Sequence, residues 1–240
     1  MKNILRKVIA VLLLFVVGIS YLSFTSGAED IEGYVQPKNY VPTINVTEDD
    51  NQTTKKGKIK YEYVYLIEKG VTEVLLYNQL DYPNIPYGNY GTIASHGCGI
   101  TALAMVASYL TDEIYTPDQL AKKFGNYNTE VGSLWTLFED SAEKLDLNLQ
   151  ERTYDTKRVM KALKNGQVVI ALESENIFTD GGHFIVLDSV NENGKIVVKD
   201  PFGDNYIKNS EMIEGFENGF TEKQVFTGGG PYWIYAKKKW

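Results

Sequence analysis

Gly97-Cys98-Gly99-Ile100-Thr101-Ala102-Leu103-Ala104-Met105-Val106-Ala107-Ser108-Tyr109-Leu110 sets a lone cysteine, flanked by glycines, in front of an alanine-rich apolar run. Ile100 to Leu110 reads as a short helix, and its apolar content all round predicts burial. Most free cysteines are inert and behave as small buried hydrophobes. A catalytic cysteine instead works as a thiolate, which the unpaired N–H groups and macrodipole of a helix N-terminus stabilise. An inert cysteine would sit more naturally within the run than in front of it. Flanking glycines would expose the sulfur and let a substrate backbone approach. The position therefore favours a nucleophile.

A thiol nucleophile needs a base, and the chain has only two histidines. His96 stands two residues before Cys98, an awkward separation for a base that must face the sulfur, and reads as a loop residue. His183 follows Thr179-Asp180-Gly181-Gly182 and starts a strand running to Val190. A strand end beside a glycine-rich loop can hold a base rigidly against a cleft. Asn191-Glu192-Asn193-Gly194 is a hairpin turn, and Lys195 to Val198 is the return strand. Folding about that turn brings Asp200 back to the end where His183 lies, and a carboxylate there would orient the imidazole. The plain alternatives are a polar strand-end residue at 183 and a turn-initiating Asp-Pro at 200 and 201. For the oxyanion, Gln79 and the Cys98 backbone N–H are the candidate donors. Spacing alone says little for Gln79.

The rest of the chain supplies more helices and then strands. Lys58 to Tyr77 alternates as a strand, turned at Lys69-Gly70 and resumed at Val74-Leu75-Leu76-Tyr77. Thr116-Pro117-Asp118-Gln119 opens a helix with a capping box and proline at the first position, and Gly125 closes it. Ser133 is expected to cap a third helix bearing Leu134, Leu137, Phe138, Ala142 and Leu145 on one face. Asp155 or Thr156 caps a fourth, which Gly166 ends. Gln167–Leu172 and Pro231–Lys237 read as strands. Helices first and strands second is a segregated α+β pattern.

Composition sets outer bounds. The 240 residues are 43% hydrophobic and 23% charged, which suits a globular core. One cysteine permits neither an internal disulfide nor a cysteine-based zinc finger. One cysteine and two histidines, with no carboxylates at fixed spacing, make a metal role unexpected. No glycine motif for a cofactor is present. Lys2, Arg6 and Lys7 precede an apolar stretch of 17 residues from Val8 to Phe24, then small residues to Ala28. Residues 1–28 therefore read as a secretory signal cleaved after Ala28, with an uncleaved anchor as the rival, the stretch being at the short limit for spanning a membrane. Either way the remainder is expected outside the cytoplasm, secreted or at the cell surface. Removing three of the 24 basic residues with that segment leaves 21 against 31 acids, a net charge of −10. Such a chain is a poor nucleic-acid binder. Lys237-Lys238-Lys239 is too short to alter this and reads as a solvated tail. Residues 29–57 are polar and unpatterned, a linker or pro-segment.

Gly97 to Val106, Gly182-His183-Phe184-Ile185-Val186-Leu187 and Val198-Lys199-Asp200-Pro201 together resemble the peptidase C39-like family, which is related to the bacteriocin-processing peptidase domain and belongs to the papain-like clan. Asn78-Gln79-Leu80-Asp81 is similar to that family's glutamine motif, so the resemblance runs from about Tyr77 to Phe202. It implies a papain-like fold over residues 58–240, a helical part carrying the cysteine packed on an antiparallel β-sheet carrying histidine and aspartate. It implies Cys98 as nucleophile, His183 as base, Asp200 as its orienter and Gln79 as oxyanion support. The chain departs from the family in having Ile100 where proline usually follows Gly-Cys-Gly. It has no Walker motif and no multi-span segment, unlike the transporter-fused form. The activity implied is hydrolysis of peptide bonds in a peptide or protein substrate, without a cofactor. The alternatives are a catalytically silent surface or binding module and a cell-wall peptide amidase or endopeptidase.

Overall fold

The structure is a computed structural model that describes residues 71–238. The signal or anchor segment, the linker or pro-segment and the strand expected over residues 58–70 lie outside the described residues. In chain order the elements are α1 (Ile93–His96), α2 (Cys98–Thr111), α3 (Pro117–Phe124), β1 (Asn128–Thr129), β2 (Gly132–Ser133), α4 (Thr136–Lys144), β3 (Leu149–Thr153), α5 (Thr156–Lys164), β4 (Val168–Glu173), β5 (His183–Val190), β6 (Ile196–Lys199), α6 (Ser210–Asn218), α7 (Glu222–Phe226) and β7 (Tyr232–Tyr235).

Five strands form one sheet in the order β3-β7-β4-β5-β6, and every neighbouring pair is antiparallel. Its central strands are apolar on both faces because both faces are covered. Val168, Ile170, Phe184, Val186 and Trp233 pack with α2, α3 and α4. Val169, Ala171, Ile185, Leu187 and Ile234 pack with α5, α6 and α7. The period of two along each strand divides the residues between these two cores. The α+β class is thus observed, with helices packed on an antiparallel sheet. Its order is less segregated than the sequence predicts. β3 falls between two helices, and α6 and α7 follow β6. β3 reads Leu-Gln-Glu-Arg-Thr and is an edge strand with no fully buried residue, so it carries no apolar alternation to reveal it.

Local signals decide several elements as expected. Thr116 and Gln119 form the capping box of α3 with Pro117 in its first turn. Asp155 caps α5 by accepting from Lys157 and Arg158 backbone N–H groups at 2.9 and 3.4 Å. Three expectations fail. Ser133 does not cap α4; it lies in β2, and its hydroxyl pairs with the Tyr87 hydroxyl at 2.9 Å. Lys237 and Lys238 are not a free solvated tail. Lys237 Nζ donates to the Val71 carbonyl at 3.0 Å and pairs with Asp112, and Lys238 pairs with Asp146. Val74–Tyr77 is buried without belonging to a named strand.

Candidate active site

Cys98 is the first residue of α2, two positions earlier than the apolar run alone suggests. Its neighbours are glycine for reasons internal to the fold. A Cβ at position 97 would collide with the Ile93 carbonyl, and one at position 99 would lie 2.6 Å from Ser133 Oγ and 3.1 Å from Phe184 Cδ2. The two glycines thus let α2 pack its N-terminus against α1, β2 and β5. The sequence alone suggests exposure of the sulfur and substrate approach as their role. Ile100, the departure from the family pattern, is fully buried within α2.

His183 opens β5, and the β5–β6 hairpin returns Asp200 to it. Val186 pairs with Lys199 and Leu187 with Val198, while Ser189 pairs with Val197. The register therefore shifts by one residue around Asp188, a β-bulge. In an unbulged hairpin, Asp200 would fall opposite Val186. With the bulge it falls in line with Ile185, on the face that His183 shares. His183 Nε2 and Asp200 Oδ1 are 2.7 Å apart. That bond leaves Nδ1 as the ring nitrogen not engaged by Asp200, and the His183 side chain and Cys98 line the same cleft.

Asp200 is wholly buried and held by several donors. The Phe202 N–H donates to Oδ1 at 2.8 Å and Asn205 Nδ2 to Oδ2 at 2.7 Å. Asn205 also donates to the Phe178 carbonyl at 2.9 Å. Asn205 was not among the residues the sequence pointed to. Its only signal is a polar residue in the loop just after Asp200-Pro201.

Gln79 sits in a 3-10 turn, Gln79–Asp81, docked on the segment after Asp200. Its N–H donates to the Pro201 carbonyl at 2.7 Å, and Asn78 Oδ1 accepts from the Gly203 N–H at 3.0 Å. Gln79 Nε2 spends one hydrogen on the Ala94 carbonyl at 2.8 Å. Gln79, Cys98 and His183 together line a cleft of about 550 Å³. As the first helical residue, Cys98 also has an N–H with no carbonyl behind it in α2. Three of the four sequence candidates, Gln79, Cys98 and His183, thus line one cleft, and the fourth, Asp200, is buried behind His183. His96 does not join them: its Nδ1 pairs with Ser95 Oγ at 2.8 Å.

A model of the Peptidase C39-like family matches residues 71–225, which include all four residues. The chain belongs to the peptidase C39-like family. No curated protein and no solved structure matches it. Membership makes this a peptidase-like domain, and its electrostatics suit that class. Burial pushes the Cys98 thiol up, but the His183 hydrogen bond, the His183 charge and the Phe184 and Gly99 N–H groups outweigh it, so the net shift is downward. Burial likewise disfavours a charged His183. The Asp200 charge and hydrogen bond, with Cys98 beyond, overcome this and raise its pKa to about 10. The C39-like cleft therefore favours a thiolate facing an imidazolium.

A second carboxyl lies nearby. Glu173 pairs across the strands with His183 and is fully buried. Desolvation raises its pKa to about 8, against the Asn176 hydrogen bond and the His183 charge. Asn176 Nδ2 donates to Glu173 Oε2 at 2.5 Å and to the Thr227 carbonyl at 3.2 Å.

Proposed function

We propose that this protein is an exported cysteine peptidase with a papain-like fold, cleaving peptide bonds through a thioester on Cys98. The observation that carries the reading is the line Cys98, His183, Asp200 with Gln79 across the same cleft. In this reading the Cys98 thiolate attacks the scissile carbonyl carbon. The carbonyl oxygen gains negative charge and accepts hydrogen bonds from Gln79 Nε2 and the Cys98 N–H. His183, protonated at Nδ1, gives that proton to the leaving nitrogen as the C–N bond breaks. Water then attacks the thioester, with His183 taking its proton, and the acid is released with the thiolate restored. Asp200 keeps the ring oriented and stabilises its charge throughout.

The net charge of −10 outside residues 1–28 argues for a peptide or protein substrate over a nucleic acid. The reading is tested by incubating the purified chain with a peptide library and with exported proteins, and comparing products by mass spectrometry between wild type and Cys98→Ala. Products that vanish with Cys98→Ala are expected. If no Cys98-dependent product forms, and a small alkylating reagent labels Cys98 no faster than free cysteine near neutral pH, the peptidase reading fails and a silent binding module takes its place.

A further inference from the structure

Gly181 and Gly182 stand immediately before His183, and both are exposed. At Gly97 and Gly99 the protein itself excludes a side chain. Here it does not. A Cβ built on Gly181 or Gly182 meets nothing within 4 Å, and neither residue has left-handed backbone. Nor is freedom of the segment a reason, because it is tied down. Asn176 and Thr179 exchange backbone hydrogen bonds at 2.9 and 3.3 Å, and the Gly181 N–H donates to Thr179 Oγ1 at 3.0 Å. The Phe178 carbonyl is held by Asn205 at 2.9 Å. A glycine loses more conformational freedom on folding than any other residue. Nothing in the folded chain offsets that cost at either position.

Gly182 lines the cleft with Cys98 and His183. The next step rests on the peptidase reading above. The leaving nitrogen takes its proton from His183, so the leaving segment lies on the His183 side of Cys98. The residue before His183 then borders that segment. We propose that Gly182, with Gly181 behind it, keeps open the subsite for the first residue on the leaving-group side of the scissile bond, so that the enzyme accepts bulky side chains there. A side chain at position 182 would compete for the same space, because no atom of the protein fills it.

The test uses the full chain as wild type, Gly182→Ala and Gly182→Val, and two peptides that differ only in the first leaving-side residue, glycine or leucine. Wild type is expected to cleave both. Gly182→Val is expected to lose about tenfold or more in kcat/KM on the leucine peptide relative to the glycine peptide, with an intermediate effect for Gly182→Ala. The melting temperature should not fall, since no contact is lost. Equal losses on both peptides, or no loss on either, would overturn the proposal. A second readout needs no hydrolysis. Alkylation of Cys98 by N-phenylmaleimide should slow in Gly182→Val while alkylation by iodoacetamide does not. If wild type cleaves neither peptide yet that contrast appears, the open subsite stands, and the peptidase reading is decided by the library experiment above. If the contrast is absent, the subsite proposal falls.

Discussion

Asn205 Nδ2 lies 2.7 Å from Asp200 Oδ2 and 2.9 Å from the Phe178 carbonyl, so one buried amide ties the carboxylate behind His183 to the wall of the cleft. Removing it leaves a buried carboxylate oxygen short of a donor, a cost of about 1–3 kcal/mol. Asn205→Ala is therefore expected to lower kcat about 10- to 100-fold through misplacement of Asp200, on the scale of a general-base contribution. A purely structural effect would leave the pH profile in place. A positioning role should shift its alkaline limb, which kcat measured across pH will reveal.

The opposite shifts of Cys98 and His183 predict the shape of that profile. The Cys98 pKa is lowered and the His183 pKa is raised to about 10. Activity should rise at a pH below the ordinary thiol range as Cys98 deprotonates, and fall as His183 loses its proton well above the ordinary imidazole range. The two limbs belong to the coupled pair. Asp200→Asn takes away the charge that favours imidazolium, so the alkaline limb should move down and the plateau narrow. Rates of iodoacetamide labelling of Cys98 against pH give the same limbs without a substrate.

Gln79→Ala should lower kcat by about 10²-fold with little change in KM, the signature of a contact that matters most in the transition state. Gln79→Glu separates the roles of the amide: it keeps the shape but replaces the donor by an acceptor, and should lose at least as much. A variant that raises KM alone would remove Gln79 from oxyanion support.

Glu173 predicts a stability profile rather than a rate profile. Below its ordinary value of 4.5 the carboxyl is neutral whether the chain is folded or not. Between there and about 8 the unfolded chain ionises and the folded one resists, so stability should fall as pH rises through that window and level off above it. Glu173→Gln removes the titration and keeps an acceptor for Asn176. It should raise stability at pH 7 by about 1–3 kcal/mol, given roughly 1.4 kcal/mol per pKa unit. Urea melts of both forms at pH 5 and pH 8 measure it; a difference that does not grow with pH would show Glu173 to be ionised already.

Features written over a few adjacent residues could be read directly from the sequence. Thr116, Pro117, Gln119 and Gly125 bound α3 because capping is local chemistry. His183 to Val190 forms a strand as its apolar pattern indicates, and the hairpin turn after it brings Asp200 home. Ser133 misleads because a serine ahead of a helical pattern resembles a cap, whereas distant Tyr87 claims its hydroxyl. Asn205 and Glu173 are silent in sequence for a related reason. Their roles arise from neighbours that only the folded chain supplies: Phe178 across the cleft wall for one, and His183 across the sheet for the other. The glycines around Cys98 are conspicuous in the sequence, but their cause is steric and lies in Ile93, Ser133 and Phe184.

The bulge at Asp188 divides the β5–β6 hairpin into a stem that sets the face of Asp200 and a tip that does not. Residues added between Asn191 and Gly194 would lengthen the tip and leave the Leu187–Val198 pairing intact. One residue added between Val198 and Asp200 would turn the carboxylate away from the imidazole. The hairpin tip is thus a place where a loop, tag or binding epitope can be grafted with the chemistry left whole, while the few residues of the stem tolerate no change in length.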